Sequence, residues 1–222
     1  ALLIIALVGV GSVLVPGGAS AVDIFNTNIV GAVNTKTSDA WVITNNTAMV
    51  ITDSTITASN WNDKAWITAI VTNASSYFYS LGNGGLMYNP TAKKDMTVTN
   101  STITGSDGGV ITVVSNVIGS ARFCVDGGDG MLLKNVNGAF TNATIAGGNG
   151  GTIIANGAGK STANAGFGLK LQGTTSTVGS TLHATNSIFN GGNGGEFSTD
   201  KKTGDALGGD SIVVEETKPV VL

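Results

Sequence analysis

Apolar and polar residues alternate along this chain in short runs of three to six, and the runs are bounded by Gly, Asn, Asp or Ser. Met96-Thr97-Val98-Thr99 and Leu169-Lys170-Leu171 show a period of two, the period of a half-buried strand. No window of helical length carries a 3.6-residue period, so a helical repeat is rejected. One pattern organises the rest. Thr141–Ile154 reads TNATIAGGNGGTII, and related segments begin at Thr52 (TDSTITAS), Thr99 (TNSTITGSDGGVI) and Thr185 (TNSIFNGGNGGEF). The fifth position of each copy is Ile56, Ile103, Ile145 or Phe189, at spacings of 47, 42 and 44 residues.

A second, weaker unit lies between the copies. Ser76–Met87 (SYFYSLGNGGLM) and Ala121–Leu132 (ARFCVDGGDGML) place Gly82 and Gly127 45 residues apart, the same period in a shifted phase. Halving that period gives about 22 residues, the length of one three-strand coil of a β-solenoid. A propeller would need four antiparallel strands per period and a recurring tryptophan. Trp41, Trp61 and Trp66 all fall in the first third and do not recur. The expected fold is therefore an all-β parallel solenoid of about nine coils, roughly 45 Å long at the ladder spacing. Stacking would gather Ile56, Ile103, Ile145 and Phe189 on one interior wall, two coils apart. Asn100, Asn142 and Asn186 would form a turn ladder, with Asp53 in its first place, their side chains bonding one another or the backbone.

The apolar start of the chain, residues 1–21, stands outside this pattern. It reads either as a secretory signal core ending in Ala19-Ser20-Ala21 or as strands Leu2–Val10 and Val13–Val15, split by Gly9 and Gly11 and closed by Pro16-Gly17-Gly18. Its uninterrupted apolar stretch of about 15 residues falls short of a membrane-spanning helix. The strand reading is preferred. It makes 1–21 an assembly segment and 22–222 a single solenoid domain. Because its apolar residues are continuous, both faces need covering, inside this molecule or by donation to a neighbouring copy through Leu2, Leu3, Ile4, Ile5, Leu7 and Val8.

Composition sharpens the setting. With 33 Gly, 3 Pro and abundant Thr, Asn, Val and Ile, the chain is built for strands and tight turns. Charged residues are only 11%, so Thr, Ser and Asn must supply the polar surface, as in secreted β-proteins. A net charge of −3 with Arg122 the only arginine argues against nucleic-acid binding. Cys124 is the only cysteine and sits in an apolar run, where it reads as a small buried hydrophobe.

TNSTITGSDGG and TNATIAGGNGG, preceded by GGLMY, resemble the repeats of polymorphic outer-membrane proteins and autotransporter-like adhesins. The resemblance covers Asn73–Phe197 and implies a right-handed parallel β-helix displayed at a cell surface. The chain departs from that family in ending at VVEETKPVVL, with no amphipathic β-barrel segment.

Candidate chemistry is sparse. Gly127-Gly128-Asp129-Gly130 and Gly147-Gly148-Asn149-Gly150 approach a calcium-binding nonapeptide, but Leu132 and Thr152 stand where it needs Asp, so no metal site is assigned. Arg122 with Asp126 and Asp129 is the best grouping for polysaccharide cleavage, and a surface ion pair explains it as well. No catalytic residue and no cofactor is assigned. Asn45, Asn73, Asn100 and Asn142 open N-glycosylation acceptor patterns. The expected function is a non-catalytic, secreted, self-assembling filament subunit, homo-oligomeric or polymeric through its ends or its donated strand. The alternatives are a monomeric adhesin-like module, contacting a host or surface glycan along the Thr/Asn ladder or through Trp61, Trp66, Tyr77, Phe78 and Tyr79, and a polysaccharide-acting enzyme.

Overall fold

A computed structural model describes residues 2–5, 8–10, 13–14, 21–25, 28–30, 41–44, 48–58, 66–69, 76–79, 85–88, 94–113, 122–154, 161–172, 180–198 and 204–215. Side chains are described for 48–58, 94–110, 124–154, 162–172, 180–196 and 206–215. These residues form strands and connections only. Every strand pairing among them is parallel, as expected of a stacked coil. None of them forms a helix long and apolar enough to cross a membrane.

The chain winds through six coils. The first holds β1 (Leu2–Ile5), β2 (Val8–Val10) and β3 (Val13–Leu14). The second holds β4 (Ala21–Phe25), β5 (Asn28–Val30) and β6 (Trp41–Thr44). From the third coil onward there are five strands: β7 (Ala48–Thr52), β8 (Thr55–Thr57), β9 (Trp66–Ala69), β10 (Ser76–Tyr79) and β11 (Gly85–Tyr88). The fourth coil comprises β12 (Lys94–Thr99), β13 (Thr102–Thr104), β14 (Val110–Val113), β15 (Arg122–Val125) and β16 (Met131–Lys134). The fifth comprises β17 (Val136–Thr141), β18 (Thr144–Ala146), β19 (Thr152–Ile154), β20 (Ser161–Thr162) and β21 (Leu169–Gln172). The sixth comprises β22 (Thr181–Thr185), β23 (Ile188–Asn190), β24 (Glu196–Ser198), β25 (Gly204–Asp205) and β26 (Ile212–Glu215).

Equivalent strands stack into five sheets. Three have six strands: sheet I (β1-β4-β7-β12-β17-β22), sheet II (β2-β5-β8-β13-β18-β23) and sheet III (β3-β6-β11-β16-β21-β26). Two have four: β9-β14-β19-β24 and β10-β15-β20-β25. Sheets I to III enclose the main core. Met49, Ile51, Met96, Val98 and Phe140 come from sheet I, Ile56, Ile103 and Ile145 from sheet II, and Met131, Leu133, Leu169 and Leu171 from sheet III. The two smaller sheets form a fin beside it, with buried Val125, Ile153 and Ala163.

The expected coil length of about 22 residues needs correction. Ile56 pairs directly with Ile103, Ile103 with Ile145, and Ile145 with Phe189, so these four stand in consecutive coils rather than alternate ones. The later coils consume the whole repeat of 42 to 47 residues. Only the opening coils are short: Leu2 pairs with Ala21 and Ala21 with Ala48. Among the described residues the stack therefore has six coils, not the nine expected.

The glycine clusters explain the false half-period. In the fourth, fifth and sixth coils the chain leaves sheet II for the fin through one glycine-rich segment (105–109, 147–151, 191–195). It returns to sheet III through another (126–130, 163–168, 206–211). Both passes thread one narrow neck, where they interleave. Gly128 N–H donates to Ser106 O (2.8 Å), Gly148 to Gly128 (2.8 Å), Gly166 to Gly148 (2.9 Å), Gly192 to Gly166 (3.0 Å) and Gly209 to Gly192 (3.0 Å). Each pass also bonds its counterpart in the next coil, as in Gly108 to Asn149 O (2.6 Å), Gly150 to Asn193 O (2.8 Å) and Gly127 to Asn164 O (2.8 Å). Backbone lies against backbone on several sides, which leaves no volume for a side chain. The 22-residue recurrence is thus two passes per coil, not two coils per repeat.

Candidate functional site: the polar ladders and the Thr face

The turn between sheets I and II carries Asp53, Asn100, Asn142 and Asn186 at φ of 50°, 49°, 51° and 49°. Asn and Asp tolerate this left-handed conformation better than other side-chain-bearing residues. The following residue turns inward, and Ser54 and Ser101 are buried there. Their hydroxyls close the turn on Thr52 O (2.8 Å) and Thr99 O (2.7 Å), and Ser101 Oγ also accepts Ser54 N–H (3.1 Å).

The Asx side chains form a ladder with a direction. Asn142 Nδ2 donates to Asn100 Oδ1 (3.1 Å), and Asn100 Nδ2 to Asp53 Oδ1 (3.1 Å). Donors face the preceding coil and acceptors the following one. Other columns keep the same sense. Asn137 Nδ2 donates to Asp95 Oδ1 (2.9 Å), while Thr181 Oγ1 donates to Asn137 Oδ1 (2.9 Å). In the neck, Asn149 N–H donates to Asp107 Oδ1 (2.8 Å) and Asn193 N–H to Asn149 Oδ1 (2.9 Å). Asn164 N–H donates to Asp126 Oδ1 (2.7 Å) and Leu207 N–H to Asn164 Oδ1 (3.1 Å). Each of these columns has Asp in an earlier coil and Asn after it. A carboxylate only accepts, so it suits the place where acceptance is all that is asked, and its charge strengthens the bond. This Asp-then-Asn order at one repeat position is the signal in the sequence that marks the direction of each ladder.

Asn142→Ala removes both the tolerance for positive φ and the ladder bond. The first costs about 1–2 kcal/mol and the second about 0.5–1.5 kcal/mol. Urea denaturation is expected to show a loss near 2 kcal/mol on those estimates, and a smaller one for Asn142→Gly, which keeps the backbone conformation.

Asp126 and Asp129, considered above beside Arg122, each have an oxygen in an inter-coil bond. Asp129 Oδ1 accepts Phe167 N–H (2.9 Å) and Asp126 Oδ1 accepts Asn164 N–H (2.7 Å) from the next coil, while Asp126 Oδ2 accepts the Cys124 thiol of its own coil (2.8 Å). Thr162 Oγ1 donates to Cys124 Sγ at 3.0 Å. The Arg122 side chain lies outside the described side chains, although its backbone is in β15. Burial, and then the hydrogen bond to the Asp126 carboxylate, push the Cys124 thiol up to about 11, against a partial opposing effect of Thr162. The thiolate is the nucleophile, so Cys124 stays protonated and inert near neutral pH. Alkylation by iodoacetamide in the folded protein is expected to be far slower at pH 8 than in urea, and to accelerate as pH approaches 11.

The remaining expected site residues are placed as follows. Leu2–Ile5 form β1, which pairs with Ala21–Ile24 of the same chain, and Val8 opens β2. Leu7, Asn45, Trp61 and Asn73 lie outside the described residues. Trp66 falls in β9 and Tyr77, Phe78 and Tyr79 in β10, on the two fin sheets. Asn100 and Asn142 are exposed, but the nitrogen that would carry a glycan already donates within the ladder. His183 is exposed on sheet I, in the column of Thr97 and Ala139.

A second outward array lies on sheet II. Thr55, Thr102 and Thr144 form one column and Thr57 and Thr104 its neighbour, on either side of the buried Ile56, Ile103 and Ile145. Among the described residues no group of three or more His, Cys, Asp or Glu is arranged to hold a metal ion. The chain matches no protein-family model, no curated protein and no solved structure.

Proposed function

We propose that this protein is a non-catalytic structural β-solenoid, right-handed as parallel crossovers are, that works outside the cell as the subunit of a surface filament. The observation that carries the reading is the register of the first coil. Ile4 stands in the column of Asp23, Val50, Thr97, Ala139 and His183, of which Val50, Thr97, Ala139 and His183 are exposed. Val8 and Val10 stand in the columns of Thr55 and Thr57. Ile4, Val8 and Val10 thus put apolar residues together at register positions that later coils fill mostly with Asp, Asn, Thr or His, the apolar members there being Val30, Val50, Ala139, Ala146 and Ile188. Such a coil suits burial against another copy, with Leu2–Val10 as the joining element. The low charge and the repeats that resemble autotransporter adhesins support the extracellular setting. Asp53, Asp95, Asp107, Asp126 and Asp129 support a structural role, because one oxygen of each accepts a hydrogen bond from the next coil.

The test is electron microscopy and light scattering of the full chain beside an Ile4→Asp/Val8→Asp variant. Ordered fibres from the unaltered chain and monomers with an unchanged circular dichroism spectrum from the variant are expected. A protein that stays monomeric at high concentration would reject the filament. Protease treatment of intact source cells that leaves the protein uncut would reject surface display.

A further inference from the structure

We propose that the outer face of sheet II binds ice. Two columns of threonine are held in register there: Thr55–Thr102–Thr144 and Thr57–Thr104, continued by Ala146. Thr55 and Thr102 are exposed, and Thr57, Thr104 and Thr144 half-buried. No hydrogen bond ties any of these five hydroxyls to another described residue. This sets them apart from the Asx and Ser columns beside them, whose polar atoms are used between coils. The free hydroxyls must bond water.

The array repeats in two directions, about 4.8 Å along each column and roughly 6.7 Å between the columns. It is rigid, because β13 and β18 are paired on both edges and threonine has a restricted χ1 in a strand. Waters held on such hydroxyls take up fixed, periodic positions, and the adjacent methyl groups restrict their reorientation. A ligand matched to this face must itself be periodic and must offer hydrogen bonds without charge. The two columns from the third to the sixth coil contain no aromatic or charged residue, the groups that would stack on or clamp a sugar ring. The surface of an ice crystal presents only water oxygens at lattice spacing. An ordered water layer on sheet II would merge with it.

The proposal is independent of filament formation and is tested on soluble full-length chain made in a host without N-glycosylation. Ice is grown slowly through the solution, and the protein in the ice and liquid fractions is measured for four forms: unaltered, Thr102→Lys, Thr55→Val/Thr102→Val, and Gln172→Lys on sheet III. Circular dichroism melts confirm folding. The unaltered chain and Gln172→Lys are expected to enter the ice. Thr102→Lys should fall to the level of a non-binding control protein. The double valine variant, which keeps shape and strand preference, should lose part of its retention and serves as the test if the lysine variant does not fold. Exclusion of the unaltered chain from ice, undiminished retention of both threonine variants, or retention on crystalline chitin or cellulose without retention in ice would overturn the proposal.

Discussion

Gly148→Ala is expected to abolish cooperative folding. A Cβ built on Gly148 would lie 1.9 Å from Ser106 O and 2.3 Å from its carbonyl carbon. These are backbone atoms that cannot rotate aside. Ser106 O already accepts Gly128 N–H, and Gly148 N–H donates to Gly128 O, so moving one pass drags the other with it. Single substitutions rarely cost more than about 4–5 kcal/mol, and this one belongs in that tail because it disrupts a backbone-to-backbone contact shared by two coils. Gly208→Ala is the control, since its Cβ would meet nothing nearer than Gly192 O at 3.7 Å. That change should be neutral, or stabilising by about 0.4–1 kcal/mol through the unfolded chain. Urea melts of the two variants decide the matter. A cooperative Gly148→Ala transition close to that of the unaltered chain would mean that the neck is not interleaved.

The neck also shows where sequence reading reached and where it stopped. Strand type, parallel stacking and the Ile56–Ile103–Ile145–Phe189 column follow from alternation and repeat spacing, because sheet pairing obliges equivalent residues to stack. Coil length did not follow. Glycine clusters every 20 or so residues mark close backbone approach, and a short triangular coil and a long coil that crosses its own neck twice place glycines at the same interval. The two were distinguishable in principle. Clusters after a Thr-Asn turn (Gly108, Gly150, Gly194) alternate with clusters after an aromatic or Cys-containing strand (Gly127, Gly130), and corresponding clusters recur at the full period. The Asx ladder was legible from its Asn residues. The reason Asp53 differs from its successors was not, because it depends on the direction in which amides donate. The Thr columns were visible as TIT at Thr55–Thr57 and Thr102–Thr104. Only the structure, by accounting for hydroxyl partners, separates them from the threonines and serines that hold coils together.

Phe140→Ala is expected to cost about 3–5 kcal/mol, the range for removing a buried aromatic ring. Phe140 is among the largest fully buried side chains, at 1% exposure, and its ring meets Phe189 edge-on with centroids 5.5 Å apart and planes at 74°. Its position depends on a vacancy in its own strand. The column Met49–Met96–Gly138–Leu182 holds glycine in the fifth coil, and the Phe140 ring leans over that glycine, leaving Cε2 only 2.8 Å from where a Gly138 Cβ would lie. One large residue therefore fills two inward positions, and the glycine and the aromatic form a unit. Gly138→Ala should cost about 1–3 kcal/mol by forcing the ring out of place. The double variant Gly138→Ala/Phe140→Ala should cost less than the two single changes added, since without the ring the methyl group has room and fills part of the cavity. Denaturant midpoints of the three variants measure that coupling. Strict additivity, or a Phe140→Ala cost under about 1 kcal/mol, would place the ring outside the packed core and detach the fifth coil's glycine from its neighbour.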